Sequence, residues 1–275
     1  MAIKNTPQFL RAAFDAALKT ADPQAMLPDG LSKVFSAPLK GRCLVLGAGK
    51  AAASMAVALE QYAQQNWPEA KLEGVVITRY GHNLPTKTIQ VIEAGHPVPD
   101  EAGLNGAKET LRLIRTLQPG DQLIALISGG GSSLLTLPAP GLSIQDLQVT
   151  TQALLMSGAP IGQMNIVRKH LSAILGGHMA REAAARGAKV DAFLISDVTG
   201  DHPSSIASGP CAPDESTFAD ALQILKDYDL LQGQIPKVVT DYLQNGLLGK
   251  HPETPKSGDP IFKQINNHLL ATAHS

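Results

Sequence analysis

Lys50 follows Gly47-Ala48-Gly49 at the end of an apolar run, a placement suited to holding an anion. The small residues let a turn bring backbone amides and a helix N-terminus close to a phosphate. A lysine in the first helical turn, where the macrodipole is already positive, costs stability unless a phosphate or carboxylate binds there. Gly47, Gly49 and Ala52 fit the relaxed dinucleotide pattern G-x-G-x-x-[GA], a weak signal when alone. The acidic residue expected about 20 positions on is missing, and Arg79 stands there instead; an arginine can suit a 2′-phosphate, which keeps a weakened nicotinamide reading open. The stretch is no Walker A loop, since Leu44 occupies the first glycine position and Ala51 the Ser/Thr position.

A second anion loop is written at 128–133, SGGGSS. Apolar residues flank it closely on both sides, which argues against a flexible linker. Ser128, Gly129, Gly130, Gly131, Ser132 and Ser133 can form a nest of N–H groups, with hydroxyls to donate or to cap a following helix. At 194–201, LISDVTGD, Asp197 ends an apolar run and Asp201 lies four residues on. Two such carboxylates, with Thr199 between them, can hold Mg²⁺; alternatively Asp197 serves as base toward a hydroxyl. His82 and His96 sit in Gly-His loops, and Asp100 reads as a helix N-cap. Asn165, Arg168, Lys169 and His170 gather polar and cationic groups at a helix start, either for an anion or as a solvated face.

These residues need a scaffold that brings loops from distant parts of the chain together. Short apolar runs at 42–46, 74–78, 89–94, 122–127 and 190–196 read as strands buried on both faces. Helical patterns over 50–65, 101–117, 144–157 and 165–186 separate or follow them, and 1–23 reads as an amphipathic helix. The alternation predicts a doubly wound, three-layer α/β/α (Rossmann-like) fold with a mostly parallel sheet. Ligands of such sheets bind beyond the carboxyl ends of the strands, where all the loops above fall. Residues 1–243 are expected to form this domain. Residues 244–275 are expected to be an extended arm or hinge, with a short helix-like run over 261–275.

Composition narrows the function. The 275 residues carry 23 basic and 24 acidic side chains, leaving no broad electrostatic footprint for nucleic acid or an anionic membrane. Two distant cysteines read as reduced thiols of a cytoplasmic protein, and no apolar run is long enough to span a bilayer.

Taken together, GAGKA (47–51), GHPVPDEAG (95–103), ISGGGSSLL (127–135), MNIVRKHLSAI (164–174), LISDVTGD (194–201), IASGP (206–210) and ETPKSGDPIF (253–262) stand in the order found in the MOFRL-family glycerate 2-kinases. The chain resembles that family from about residue 8 to 275. Bacterial members often carry the provisional name hydroxypyruvate reductase. The resemblance implies ATP-dependent phosphorylation of D-glycerate at its 2-hydroxyl, with Mg²⁺ or another divalent metal, in a cleft between two α/β domains. A homodimer is compatible with it. By position, Lys50 resembles the family's phosphate-handling lysine, SGGGSS its nucleotide-phosphate loop and Asp197 its cleft aspartate. Gly47, Ala48, Gly49, His96, Asn165 and Arg168 join the expected cofactor-binding set, and Asp197 with Asp201 the metal set. The chain departs from the family in reading Leu175-Gly-Gly-His178 where KGGR is common, so two cations are absent. Family members also continue into a C-terminal domain forming the other cleft wall. Two rival readings remain: an NAD(P)H-dependent hydroxypyruvate reductase, and a nucleotide-binding half-site without activity.

Overall fold

The computed structural model describes residues 6–20 and 22–272. Six strands form one sheet: β1 (Gly41–Ala48), β2 (Ala70–Arg79), β3 (Ile89–Ala94), β4 (Gln122–Ser128), β5 (Lys189–Ile195) and β6 (Ile265–Ala271). Their order is β3-β2-β1-β4-β5-β6 and every neighbouring pair is parallel. This is the order of a doubly wound nucleotide-binding fold. The five expected strands are present.

Side chains alternate between two cores, as strands with both faces covered require. Leu44, Leu46 and Ala48 of β1 point into one core, which also takes Leu104 and Ala107 of α4 (Glu101–Ile114) and Met179 and Ala183 of α8 (His178–Ala184). Cys43 and Val45 point into the other, with Leu27 and Leu31 of α2 (Pro23–Val34) and Met55 and Leu59 of α3 (Ala52–Asn66). The chain leaves β1 through α3 on one face and enters β4 from α4 on the other. The strand order therefore reverses between β1 and β4, where a crevice must open.

A third core lies apart from the sheet. It joins Leu154 of α6 (Ile144–Met156), Met164 and Val167 of α7 (Ile161–His170), Phe218 and Leu225 of α9 (Phe218–Asp227), and Val239 and Leu243 of α10 (Lys237–Leu247). The amphipathic N-terminal run forms α1 (Thr6–Thr20), though Phe9, Leu10 and Phe14 remain more than half exposed. Residues 1–5 and 21 of that run lie outside the described residues.

Three local expectations are corrected. Residues 165–186 are not one helix: the chain breaks between α7 and α8 at Gly176 and Gly177, both at positive φ. Their N–H groups donate to Ser208 O and Gly209 O, so a distant loop is received at the break. The run from 261 is not helical beyond a short 3₁₀ turn at Pro260–Gln264; it becomes β6, paired in parallel with β5. Residues 273–275 of that run lie outside the described residues. The Gly/Pro-rich stretch before it is pinned rather than loose. Glu253 Oε1 accepts from Phe218 N, Thr254 Oγ1 donates to Asp214 and Ser257 N donates to Glu215.

Candidate functional site

Lys50, Asp197, His96 and the SGGGSS loop meet where β1 and β4 diverge. Lys50 lies just before α3 rather than in its first turn, and its N–H donates to Gly129 O. Its Nζ lies 3.3 Å from Asp197 Oδ2, with both side chains more than two-fifths exposed. An ion pair this open contributes about 0–1 kcal/mol to stability, so it leaves both partners available to a ligand. Asp197 follows the end of β5 and rests against Gly129, where any Cβ would collide with its carboxylate.

Gly49 is required for a similar reason. Its φ of 141° disfavours an L-residue, and a Cβ there would strike the Ser128 hydroxyl. That hydroxyl accepts from Ala51 N at 3.0 Å, tying the start of α3 to the end of β4. Gly47, Ala48 and Gly49 are buried and let the two strand ends approach. Gly130 is left-handed and caps α5 (Gly131–Leu134). A Cβ on Gly130 would lie 2.8 Å from His96 Nε2, so the imidazole packs directly on the loop. Burial, then the nearby Lys50 and Arg79 charges, lower the His96 pKa against the opposing pull of Asp197, so the ring is neutral near pH 7.

A cleft of about 560 Å³ opens beside this group. Of the expected residues, His96, Gly130, Ser132, Ser133, Asn165, Arg168, Lys169 and Asp197 line it, with Thr199. His82 does not; it sits in the turn after β2, its N–H bonded to Arg79 O. Asp100 caps α4 by accepting from Gly103 N. Ser132 and Ser133 do not cap a helix: Ser132 Oγ meets Ser208 Oγ at 2.8 Å and Ser133 Oγ donates to Gly130 O.

The polar run 165–170 lies in the second half of α7, not at a helix start, and it is not a solvated face. Arg168 and Lys169 both line the cleft, but Lys169 and His170 are buried and their polar ends are taken by partners inside the fold. Lys169 Nζ donates to Asp214 Oδ1 at 2.5 Å, and His170 Nε2 lies 3.2 Å from Glu253. Burial works to raise the Asp214 pKa, but hydrogen bonds and charge from Lys169 and the Ser216 hydroxyl bring it below the usual carboxylate value. In the departing LGGH segment Leu175 is core, and burial lowers the His178 pKa to about 4.

The IASGP loop is a wall of the site to which sequence reasoning assigned no role. Ala207 and Ser208 adopt φ of 51° and 57°, a left-handed geometry costing about 1–3 kcal/mol per non-glycine residue. A Cβ on Gly131 would lie 2.6 Å from Ala207 Cβ, so the strained loop is seated on the 128–133 loop. Its only signal in the sequence was its place among the ordered motifs.

Asp197 offers accessible carboxylate oxygens, and Asp201 Oδ1 is buried without a hydrogen-bond partner. Mg²⁺ takes one or two carboxylates and completes its shell with water and phosphate oxygens, so the exposed Asp197 carboxylate fits it. Asp201 is not among the residues lining the cleft. Among the described residues, no group of three or more His, Cys, Asp or Glu side chains could hold a metal by itself.

Residues 9–244 match the family described as a domain of unknown function, DUF4147. The chain belongs to this family. It is 46% identical over 252 residues to an Agrobacterium vitis protein provisionally named hydroxypyruvate reductase, covering 92% of this chain and 53% of that one. It is 42% identical over 234 residues to the glycerate 2-kinase of Pyrococcus horikoshii, covering 85% and 50%. The crystal structure of the Thermotoga maritima glycerate kinase superposes with a TM-score of 0.79 at 36% identity, covering 94% of this chain and 57% of that one. The chain spans about half the length of the curated relatives it matches.

Proposed function

We propose that this chain carries the phosphoryl-transfer cleft of an ATP- and Mg²⁺-dependent glycerate 2-kinase, making 2-phosphoglycerate from D-glycerate. The observation that carries the reading is the weak, solvent-open Lys50–Asp197 pair, set between two glycine loops at the sheet's switch point. Phosphoryl transfer asks for positioning and charge neutralisation, and this arrangement supplies both. The 128–133 loop faces the nucleotide phosphates. Lys50 Nζ exchanges its Asp197 partner for a phosphoryl oxygen and neutralises charge that grows during transfer. Asp197 accepts a hydrogen bond from the 2-hydroxyl and orients it for attack. Asp197 with Asp201 would hold Mg²⁺, which would supply charge neutralisation at the phosphates. Neutral His96 on Gly130 adds a ring nitrogen without another charge.

The NADH form of the reductase reading is disfavoured at β2, which ends in Arg79 where an acidic ribose ligand would stand; an arginine there suits the 2′-phosphate of NADPH. Assays decide between the two. D-Glycerate should drive ATP consumption in the presence of Mg²⁺, while hydroxypyruvate should leave NADH and NADPH absorbance unchanged. Hydroxypyruvate-dependent oxidation of either cofactor, without glycerate-dependent ADP release, reverses the assignment.

A further inference from the structure

The cleft holds a cation that the fold leaves unpaired. Two cationic side chains line it, Arg168 and Lys169. Lys169 is 7% exposed and committed to Asp214. Among the described residues, none forms a hydrogen bond or ion pair with the Arg168 side chain. Its surroundings include Leu147, Thr150, Leu171 and Leu175, which line a tight second cavity with it. Burial lowers its pKa, and no neighbouring charge opposes that shift. A guanidinium withdrawn from water without an anion is costly, and none of the described residues compensates it.

Asn165 lies three residues earlier on α7, and so on the same side of the helix. It lines the same cleft, and its Oδ1 is buried without a partner. This helix therefore presents one unpaired planar cation and one unsatisfied acceptor. The acceptor decides which anion fits. A nucleotide phosphate offers only acceptor oxygens and would leave Asn165 Oδ1 without a donor. A hydroxy acid offers a carboxylate for the fork of Arg168 and an O–H for the amide oxygen. Leu155, Ile161 and Met164 close this part of the cleft with apolar side chains, which suits a short molecule.

We propose that Arg168 and Asn165 form the subsite for the acid end of the phosphoryl acceptor: Arg168 pairs with the carboxylate and Asn165 Oδ1 accepts from a hydroxyl of a short 2-hydroxy acid. The acceptor then reaches Asp197 from the α7 side, and the glycine loops are left to the nucleotide. The inference rests on the kinase reading, which it deepens by assigning substrate selection to the helical cluster.

Titration calorimetry on the whole protein tests it, using D-glycerate, its neutral amide glyceramide, and Mg-ATP. Wild type should bind D-glycerate more tightly than glyceramide, and Arg168→Met should weaken D-glycerate by roughly 10–100-fold, the scale of a charge-assisted pair. Arg168→Lys should recover part of the loss, because it keeps the charge without the fork. Mg-ATP affinity should stay within about twofold for both variants, since the phosphates would lie on the glycine loops. Arg168→Met should also melt no lower than wild type, because it removes an unpaired, desolvated charge; this separates a lost ligand contact from a damaged fold. Unchanged D-glycerate affinity in Arg168→Met, equal binding of acid and amide by wild type, or a loss confined to Mg-ATP would each overturn the subsite. The two readings fail separately. D-Glycerate binding that depends on Arg168 in a protein with no turnover keeps the subsite and removes the kinase. Turnover with a glycerate KM unchanged in Arg168→Met does the reverse.

Discussion

Lys50 and Asp197 carry opposite charges 3.3 Å apart, yet their exposure makes the pair a poor structural staple. Lys50→Met is expected to lower kcat/KM for D-glycerate by about 10²–10³-fold, as removal of a transition-state contact does, while the melting temperature barely moves. Steady-state kinetics and a thermal melt on the same preparation check both halves. His178 makes the opposite kind of prediction, one of stability rather than activity. Burial, with the charges of Arg181, His170 and Lys256, outweighs Asp214 and holds its pKa at about 4 against an ordinary 6.5. Between those values the unfolded chain binds a proton that the folded chain refuses, so stability rises with pH across the window and falls on acidification. The loss by pH 4 from this residue is about 3 kcal/mol. Urea unfolding at pH 7 and pH 4.5 should show a smaller difference in His178→Phe than in wild type. Lys50, Asp197 and the glycines were legible because glycine runs at strand ends have few other uses. Ala207 and Ser208 were not, since backbone strain leaves no mark on residue type.

Helix α7 shows what an element can hide from its own sequence. Asn165, Arg168, Lys169 and His170 look like a polar face, but the partners that bury Lys169 and His170 are Asp214 and Glu253, 45 and 83 residues further on. Only tertiary packing could distinguish the unpaired Arg168 from its two paired, buried neighbours. Asp214 also accepts from Ser216 and Thr254, so one carboxylate ties α7, the loop before α9 and the segment leading to β6. Asp214→Asn strands a buried ammonium and should cost about 3–5 kcal/mol of unfolding free energy, read from denaturant melts. A smaller loss is expected from Asp214→Leu combined with Lys169→Met, which removes both charges together. Strand β6 was missed for a related reason. Its apolar spacing read as helical, whereas Asn266 and His268, two residues apart, both donate to Asp191 on β5. A carboxylate inside the apolar run VDAFLI needed such partners, and that need was the available clue.

At the scale of the molecule, the sheet order and the reversal between β1 and β4 follow from the alternation of apolar runs and helical patterns. That alternation also located the site, because it put four chemically suggestive loops on one edge. The third core was not visible in the same way. α6, α7, α9 and α10 carry ordinary amphipathic stripes, and nothing in a stripe says whether it faces the sheet or other helices. Their separate packing gives the cleft a second side, with the glycine loops opposite α7. Under the proposed function, this cleft presents the 2-hydroxyl of D-glycerate, and no other, to the phosphoryl group. Phosphorus NMR of a completed reaction of the protein with D-glycerate, ATP and Mg²⁺ tests it most directly. The account predicts a single new phosphomonoester at the 2-position. A product phosphorylated at the 3-position, or no phosphomonoester above the no-enzyme control, would contradict it.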